Sequence, residues 1–358
     1  LLSYILQKIG YAILTLFGVT TVIFLLFNIL PGDPAQMMLG QNESEEQLKA
    51  VRAKYGFDQS LTRQYFYYLN DLSPVSFHSE NPKDYTYLTE EKYNAVPLFS
   101  IGNTEVAFKT PYLRESFQKS GKKVSSVIAE TLPNTFVLAV SAIVIALLIG
   151  IFLGIISALN KDSALDKAIQ VLSTLGMSVP SFFSAILFAW FFGYVLHEYT
   201  QLEMTGSLYE LDDFGEENTL QLKNLILPAL VLGIRPLAVV IQLMRNSLLE
   251  VMQQDYIRTA RAKGLSTRQI VVKHALKNAL NPVITAISGW FASMLAGAVF
   301  VEYIFGWNGL GKEIVDALNT LDLPIIMGAV LIIALMFIII NIFVDIIYGW
   351  LDPRIANT

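Results

Sequence analysis

Five stretches of this 358-residue chain run for more than twenty residues without a charged side chain: 9–32, 131–160, 168–197 (histidine counted as neutral), 278–301 and 323–344. A sixth, 225–244, is interrupted only by Arg235. An α-helix rises about 1.5 Å per residue, so roughly 20 apolar residues cross the hydrocarbon core of a bilayer. Runs of this length are expected as lipid-spanning helices rather than as strands or buried core helices. Two of them, 131–160 and 168–197, exceed the need. Each is expected to include a tilted end or an interfacial turn.

The polar stretches between these runs differ in kind. Residues 33–124 are too long for a connector and hold eight tyrosines and six phenylalanines, too aromatic for a disordered segment. Ser44 with Gln47 reads as a capping box opening a helix that ends near Gly56, and 61–72 reads as a second helix. The mixed polarity of 73–111 suits irregular or short-strand structure. A small folded module is expected, either a cap on the helices or a docking surface for an outside partner. Farther along, 248–263 favours helix and Gly264 can end it in a left-handed conformation. Ser266 with Gln269 can cap another helix, running through Ile270, Val271, Ala275 and Leu276 into the membrane near Pro282. The two carry Arg258, Arg261, Lys263, Arg268, Lys273 and Lys277. A basic loop lying on anionic lipid would carry the same charge, but needs no glycine between two helices.

Composition supports the bilayer as solvent. Hydrophobic residues make up 54% and charged residues 15%, against about a quarter charged in soluble domains. The absence of cysteine excludes disulfides and thiolate metal sites, and His78, His197 and His274 are too scattered for a histidine metal cluster. Lys8 precedes the first run, which shows no small-residue cleavage site and is expected to stay as a span. With the N-terminus in the cytoplasm, the inner segments hold Lys8, Lys161, Lys167, Arg354 and seven bases from Arg245 to Lys277. The short outer loops then hold only Lys223 and Lys312, and residues 198–217 carry seven acids and no base. The positive-inside bias therefore predicts six helices with both ends in the cytoplasm. Gly150 and Gly154 form a GxxxG pair. Ser288, Ala292 and Ala296 form a small-residue row, with Gly289, Ser293 and Gly297 beside it. Such rows serve ordinary helix packing, a subunit interface or the seam of a path.

Several motifs in order resemble a known family. Asp255-Tyr256-Ile257-Arg258-Thr259-Ala260-Arg261-Ala262-Lys263-Gly264, followed by His274-Ala275-Leu276-Lys277-Asn278-Ala279-Leu280, is similar to the coupling loop of ABC-importer permeases of the oligopeptide/dipeptide/nickel branch. Pro31-Gly32-Asp33-Pro34 resembles the end of that family's first helix, Leu132-Pro133-Asn134-Thr135 the start of its second and Ser178-Val179-Pro180-Ser181-Phe182 its third. Glu302-Tyr303-Ile304-Phe305 with Gly309-Leu310-Gly311 resembles its outer loop, and Asp345-Ile346-Ile347-Tyr348 with Leu351-Asp352-Pro353-Arg354 its C-terminus. The chain departs in having Arg258-Thr259-Ala260 where the broader family opens its loop with Glu-Ala-Ala, and Asn308 where proline is frequent. The resemblance implies an all-α membrane protein of six transmembrane helices with the type I importer-permease fold and a small extracytoplasmic insertion. The first helix would lie in 1–32, the insertion in 33–124 and a five-helix core in 125–358, with the cytoplasmic coupling loop at 245–281. It also implies a place in a bacterial inner membrane and three kinds of partner: a related second permease, two cytoplasmic ATPases and an extracytoplasmic substrate-binding protein. The loop, with Asp255, Tyr256, Arg258, Ala260, Arg261, Lys263, Gly264, His274 and Asn278, would seat in a groove on an ATPase. A di- or oligopeptide is the implied cargo; relatives also handle nickel chelates, glutathione and some sugars.

Other features test that expectation. Gly306 to Lys312 spells the start of a P-loop, but Glu313 follows where magnesium binding needs Ser or Thr and no strand is expected before it. ATP and magnesium are therefore expected on partner chains, with no cofactor, metal or catalytic residue here. Arg235, near mid-span and followed by Pro236, either bonds carbonyls freed at a kink or lines the path and pairs with a peptide carboxylate. Glu302 and Asp345, at helix ends where carboxylates can stay hydrated, are expected as interfacial anchors rather than a proton relay, His274 as an interfacial hydrogen-bonding residue, the acids of 198–217 as a solvated loop or a lure for cations, and Tyr348 and Trp350 as part of an aromatic belt. A secondary transporter would need buried carboxylates at the midplane and, commonly, inverted repeats; the sequence offers neither. A membrane scaffold with an outer binding module is a third reading.

Overall fold

The computed structural model describes residues 2–29, 33–39, 44–82, 84–90, 92–212 and 217–351. The Pro31-Gly32 and 352–354 motifs, with Arg354, lie outside them, as do the side chains of Asp345, Tyr348 and Trp350. The first part of the chain forms α1 (Leu2–Ile29), α2 (Pro34–Leu39), α3 (Glu45–Tyr55), α4 (Leu61–Leu72), β1 (Val75–Ser79), β2 (Ala95–Ile101) and β3 (Thr104–Lys109). Then follow α5 (Val124–Leu159), α6 (Ala164–Ser178), α7 (Ser181–Trp190) with a π turn at Phe191–Val195, α8 (His197–Thr200) and the short hairpin β4 (Tyr209–Leu211) and β5 (Asn218–Leu220). The remainder is α9 (Ile226–Val251), α10 (Asp255–Ala262), α11 (Thr267–Ile270), a π turn at Val271–Ala275, α12 (Leu276–Ala279), α13 (Asn281–Gly297), α14 (Val299–Phe305), α15 (Leu310–Thr320) and α16 (Leu323–Leu351). The chain divides into two compact units, Leu1–Glu130 with Ile314–Leu335 and Thr131–Glu313 with Met336–Thr358.

The first unit contains the aromatic module. Ser44 and Gln47 close the expected capping box, and Gly56 ends α3 at φ +70°. α4 packs on α1: the Tyr65 hydroxyl lies 2.6 Å from that of Thr21, and Phe24 packs against both Tyr65 and Tyr68. Residues 73–111 form short strands, one of the two expected alternatives, paired as an antiparallel sheet in the order β1-β3-β2. The centre of the module is polar. Asp71 is fully buried and accepts from Tyr85 (2.7 Å), Tyr93 (2.9 Å) and Arg114 Nε (3.0 Å). Its backbone carbonyl accepts from Tyr112 N at 2.8 Å and from the Lys109 ammonium. A buried carboxylate needs such a shell of donors. Near the end of the chain's last link, Asp322 is likewise buried and accepts from Ser116 Oγ and from Phe117 N (3.1 Å).

This shell sets a pH profile. Desolvation lowers Lys92 and Lys109, each to about 8, and lowers His78 below its ordinary value. Burial raises Tyr68 to about 12 and pushes Tyr85, Tyr93 and Tyr112 up as well. Between a lowered lysine value and the ordinary 10.5, the unfolded chain binds more protons, so stability rises with pH. Above pH 10 the unfolded tyrosines ionise before the folded ones, and stability falls. The module is therefore expected to be most resistant to heat near pH 9–10, as near-UV circular dichroism melts of its tyrosines would record. A melting temperature that falls steadily from pH 7 to 10 would contradict this assignment.

In the second unit the apolar runs become helices whose breaks follow local chemistry. Pro180 lacks an amide hydrogen and holds Val179 extended (φ −79°, ψ 131°), so the run 168–197 is not one straight helix. α6 and the α7 segment meet at 109°. α13 and α14 meet at 57°. The described chain has four helices long and apolar enough to cross a membrane, or six if each bent pair counts as one. Gly150 and Gly154 let α5 approach α9 so closely that an added Cβ would strike Val240 and Met244; this pair serves packing within the chain. The other row divides: Ala292 is buried, whereas Gly289 and Gly297 face open space.

Candidate functional site

The basic segment forms an elbow. The expected single helix 248–263 is broken at Met252–Gln254, where Gln254 is extended (ψ 150°) and its carbonyl accepts from Ile257 (3.1 Å) and Arg258 (3.2 Å). The break turns Ile257 and Ala260 inward, where they pack with Leu248, Ile270, Ala275, Ala279 and Val283. That burial is the physical reason for the break, because a continuous helix cannot fold its own later turn back onto its earlier one. Gly264 sits at φ +78°. Its amide donates to Arg261 O (2.9 Å) while Leu265 N donates to Ala260 O (3.3 Å), the paired bonds of a Schellman end. Ser266 and Gln269 form the second capping box. From Thr267 the chain stays helical through the π turn and α12 to α13, which opens with Pro282 in its first turn, so the elbow joins the long helices without a flexible linker.

The predicted contact residues divide by this packing. Asp255, Tyr256, Arg258, Arg261, Lys263, Gly264, His274 and Asn278 are exposed. Ala260 is 5% exposed, a support of the elbow rather than a contact on its surface. Arg258 reaches Asp255 at 3.4 Å with both side chains in solvent, a pair worth little. Asn278 Nδ2 donates to the Tyr256 hydroxyl at 2.8 Å and ties the two arms together. Arg268, Lys273 and Lys277 are also exposed, leaving six bases and Asp255 on the outer surface of 255–277.

Arg245 is a different matter. It belongs to the basic count in the sequence, yet its Nε and Nη2 donate to Asp166 Oδ1 (2.8 Å) and Oδ2 (2.7 Å). Asp166 also accepts from Ser157 Oγ and from Asp162 N (2.9 Å). This ion pair fastens α6 to α9 just before the elbow. Sequence reasoning missed it; only the Ser163 cap on Asp166 N is a local signal.

Arg235 lines a cavity of about 160 Å³ with Ser181, Ser184, Trp290, Ser293 and Gly297. Its side chain is exposed, and among the described residues no hydrogen bond or ion pair reaches it.

The motif Glu302–Gly311 forms a buried knot. Glu302 is not a hydrated anchor: it is fully buried, and one carboxylate oxygen accepts from Gly311 N (2.7 Å) and Lys312 N (3.2 Å) at the start of α15. A helix N-terminus offers unpaired amides and favours negative charge, so two backbone donors take the place of water at this oxygen, while Oε1 is buried with no hydrogen-bond partner among the described residues. Those amides are the ones a phosphate would need, which disposes of the P-loop spelling. Trp307, also buried, donates from Nε1 to Asn134 O (3.1 Å), while Asn134 Nδ2 donates to Asn308 O (2.8 Å). Leu310 N donates to Thr135 Oγ1 (2.8 Å). Two motifs some 170 residues apart are thus one structure. Asn308 N donates to Ser207 Oγ at 3.0 Å, a bond that proline could not make.

Comparison with known proteins identifies the family. A model of the family described as binding-protein-dependent transport system inner membrane component matches residues 150–357, and one for the N-terminal part of the same membrane components matches residues 1–80. The chain is 35% identical over 360 residues to a putative peptide permease protein of Brucella suis, covering all of both chains. It is 33% identical over 371 residues to the di/tripeptide transport system permease protein DppB of Pseudomonas aeruginosa, covering 100% of this chain and 99% of the other. It is 32% identical over 382 residues to the dipeptide transport system permease protein DppB of Escherichia coli K12, with the same coverages.

Proposed function

Because the chain belongs to the binding-protein-dependent transport system inner membrane components, as an ABC-importer permease of the peptide branch, we propose that it forms half of an ATP-driven path for di- or oligopeptides. In this reading it is a multi-pass inner membrane protein of six spans with both termini in the cytoplasm. Residues 33–124 lie outside and the 245–281 elbow faces the cytoplasm. A second, related permease completes the path, an extracytoplasmic binding protein delivers the peptide, and two ATPases holding ATP and magnesium drive the cycle. This chain contributes no chemistry of its own.

The elbow is the observation that supports the reading best. Its inner face is apolar and packed, its outer face carries Arg258, Arg261, Lys263, Arg268, Lys273 and Lys277, and both ends run into long helices. A stiff element of this kind passes rigid-body motion from a soluble motor to the bundle. ATP drives transport only if the motor binds the two states of the permease unequally. Arg258→Glu with Arg261→Glu should leave the apolar packing of the elbow untouched while reversing its outer charge. Expressed with its operon partners and purified, the double variant is expected to lose most of the ATPase that accompanies the natural chain; full recovery would count against the coupling reading.

A further inference from the structure

Three irregularities converge on one place in the second unit. Pro180 breaks α6 from α7. Pro236 lies inside α9 and removes the amide that would have bonded the Leu232 carbonyl. Gly297 closes α13 and faces open space. Non-helical backbone at membrane depth is tolerated where it lines a cavity, and the cavity is there, walled by these segments and by Ser181, Ser184, Trp290 and Ser293. Among the described residues, Arg235 is the only charged one lining it. A guanidinium within the candidate span Leu222–Val251 is costly unless an anion or water meets it, and no described residue of the chain supplies that anion. At about 160 Å³ the cavity is smaller than the roughly 300–1,000 Å³ that holds a drug-sized ligand. It has room for one end of a peptide.

Resting on the peptide-importer reading, we propose that Arg235 binds the C-terminal carboxylate of the peptide in transit. The planar guanidinium matches a carboxylate with two parallel hydrogen bonds. The Ser181, Ser184 and Ser293 hydroxyls offer partners to the terminal peptide group, and Trp290 gives the adjoining side chain an apolar wall. With no acid among the described residues of the lining, the cavity rejects the ammonium end, so the peptide passes in one orientation.

The test uses the complete importer in proteoliposomes with its binding protein saturating, and compares uptake of radiolabelled dialanine with that of dialanine amide. The binding protein contributes equally to natural and variant importers, so a change in the acid-to-amide uptake ratio belongs to the permease. Arg235→Gln is expected to lower that ratio about ten- to a hundredfold, the loss of a charge-assisted pair. Arg235→Lys should lower it by a smaller factor, and it carries the test if the glutamine variant takes up neither peptide. The same ratio in all importers that transport overturns the proposal and assigns Arg235 to a partner chain or a lipid phosphate. No ATP-driven uptake of dialanine by the natural importer would instead remove the peptide reading on which the inference stands.

Discussion

Peptide-stimulated ATP hydrolysis is expected to fall to the unstimulated rate when Ala260 is replaced by Asp. Ala260 is 5% exposed and surrounded by Ile257, Ile270, Ala275 and other apolar residues of the elbow. A carboxylate placed there finds no donor among its neighbours. An unpaired buried polar group costs about 1–3 kcal/mol by mutational measure, and a charge costs more. The elbow opens rather than pay it, and the basic outer face loses its shape. Gly264→Pro should act through the backbone instead: proline cannot take φ +78° and has no amide for the Arg261 carbonyl. Gly264→Ala, forced into the left-handed region at roughly 1–2 kcal/mol, should give an intermediate coupling. All three variants should still insert, because the long apolar helices are untouched. Stimulation equal to that of the natural chain in proteoliposomes, for either Ala260→Asp or Gly264→Pro, would remove the elbow from the coupling path.

The second large effect belongs to the knot around Glu302. Gly311→Val is expected to reduce the yield of folded protein severely, because even a Cβ at that position would collide with the Val299 backbone and the Glu302 carboxylate. Overpacking typically costs about 1–3 kcal/mol and sometimes more, and here the obstacle is main chain that cannot rotate aside. Glu302→Ala removes the acceptor of the Gly311 and Lys312 amides, and each orphaned donor costs about 1–3 kcal/mol. Thermal melts of the detergent-solubilised chain should drop by many degrees for both. A Gly311→Val melt within a degree of the natural protein would mean that α14 and α15 are not locked as described. Thr135→Val, which takes away the acceptor of Leu310 N, should show a milder loss of the same kind.

The contrast between these regions explains what could be read in advance. The Ser44–Gln47 and Ser266–Gln269 boxes and the left-handed Gly56 and Gly264 were legible because their hydrogen bonds join residues within one turn. The apolar runs were legible because the bilayer fixes a minimum length. The break at Met252–Gln254 was not, since nothing local disfavours helix there; the packing of Ile257 and Ala260 decides it. Glu302 was misplaced for a similar reason. An acid at the end of an apolar run looks the same whether water or two backbone amides will receive it. Asp166 with Arg245, Asp71 with Arg114 and Asn134 with Asn308 join residues 79, 43 and 174 positions apart. No periodicity carries such pairs, and nothing in the sequence marks Asp71, Asp166 and Asp322 as buried carboxylates. Arg235 stood out in the sequence as a charge in an apolar run next to Pro236; what the fold adds is the cavity and the break at Pro180 beside it.

The absence of cysteine from the chain makes the central claim directly measurable. Arg261→Cys places one thiol on the exposed face of the elbow. In the assembled importer, a short thiol cross-linker added from the cytoplasmic side should join that position to an ATPase subunit, with a yield that changes when ATP is bound. No cross-link to an ATPase, or labelling of that thiol only from the outer side of the membrane, would contradict the account.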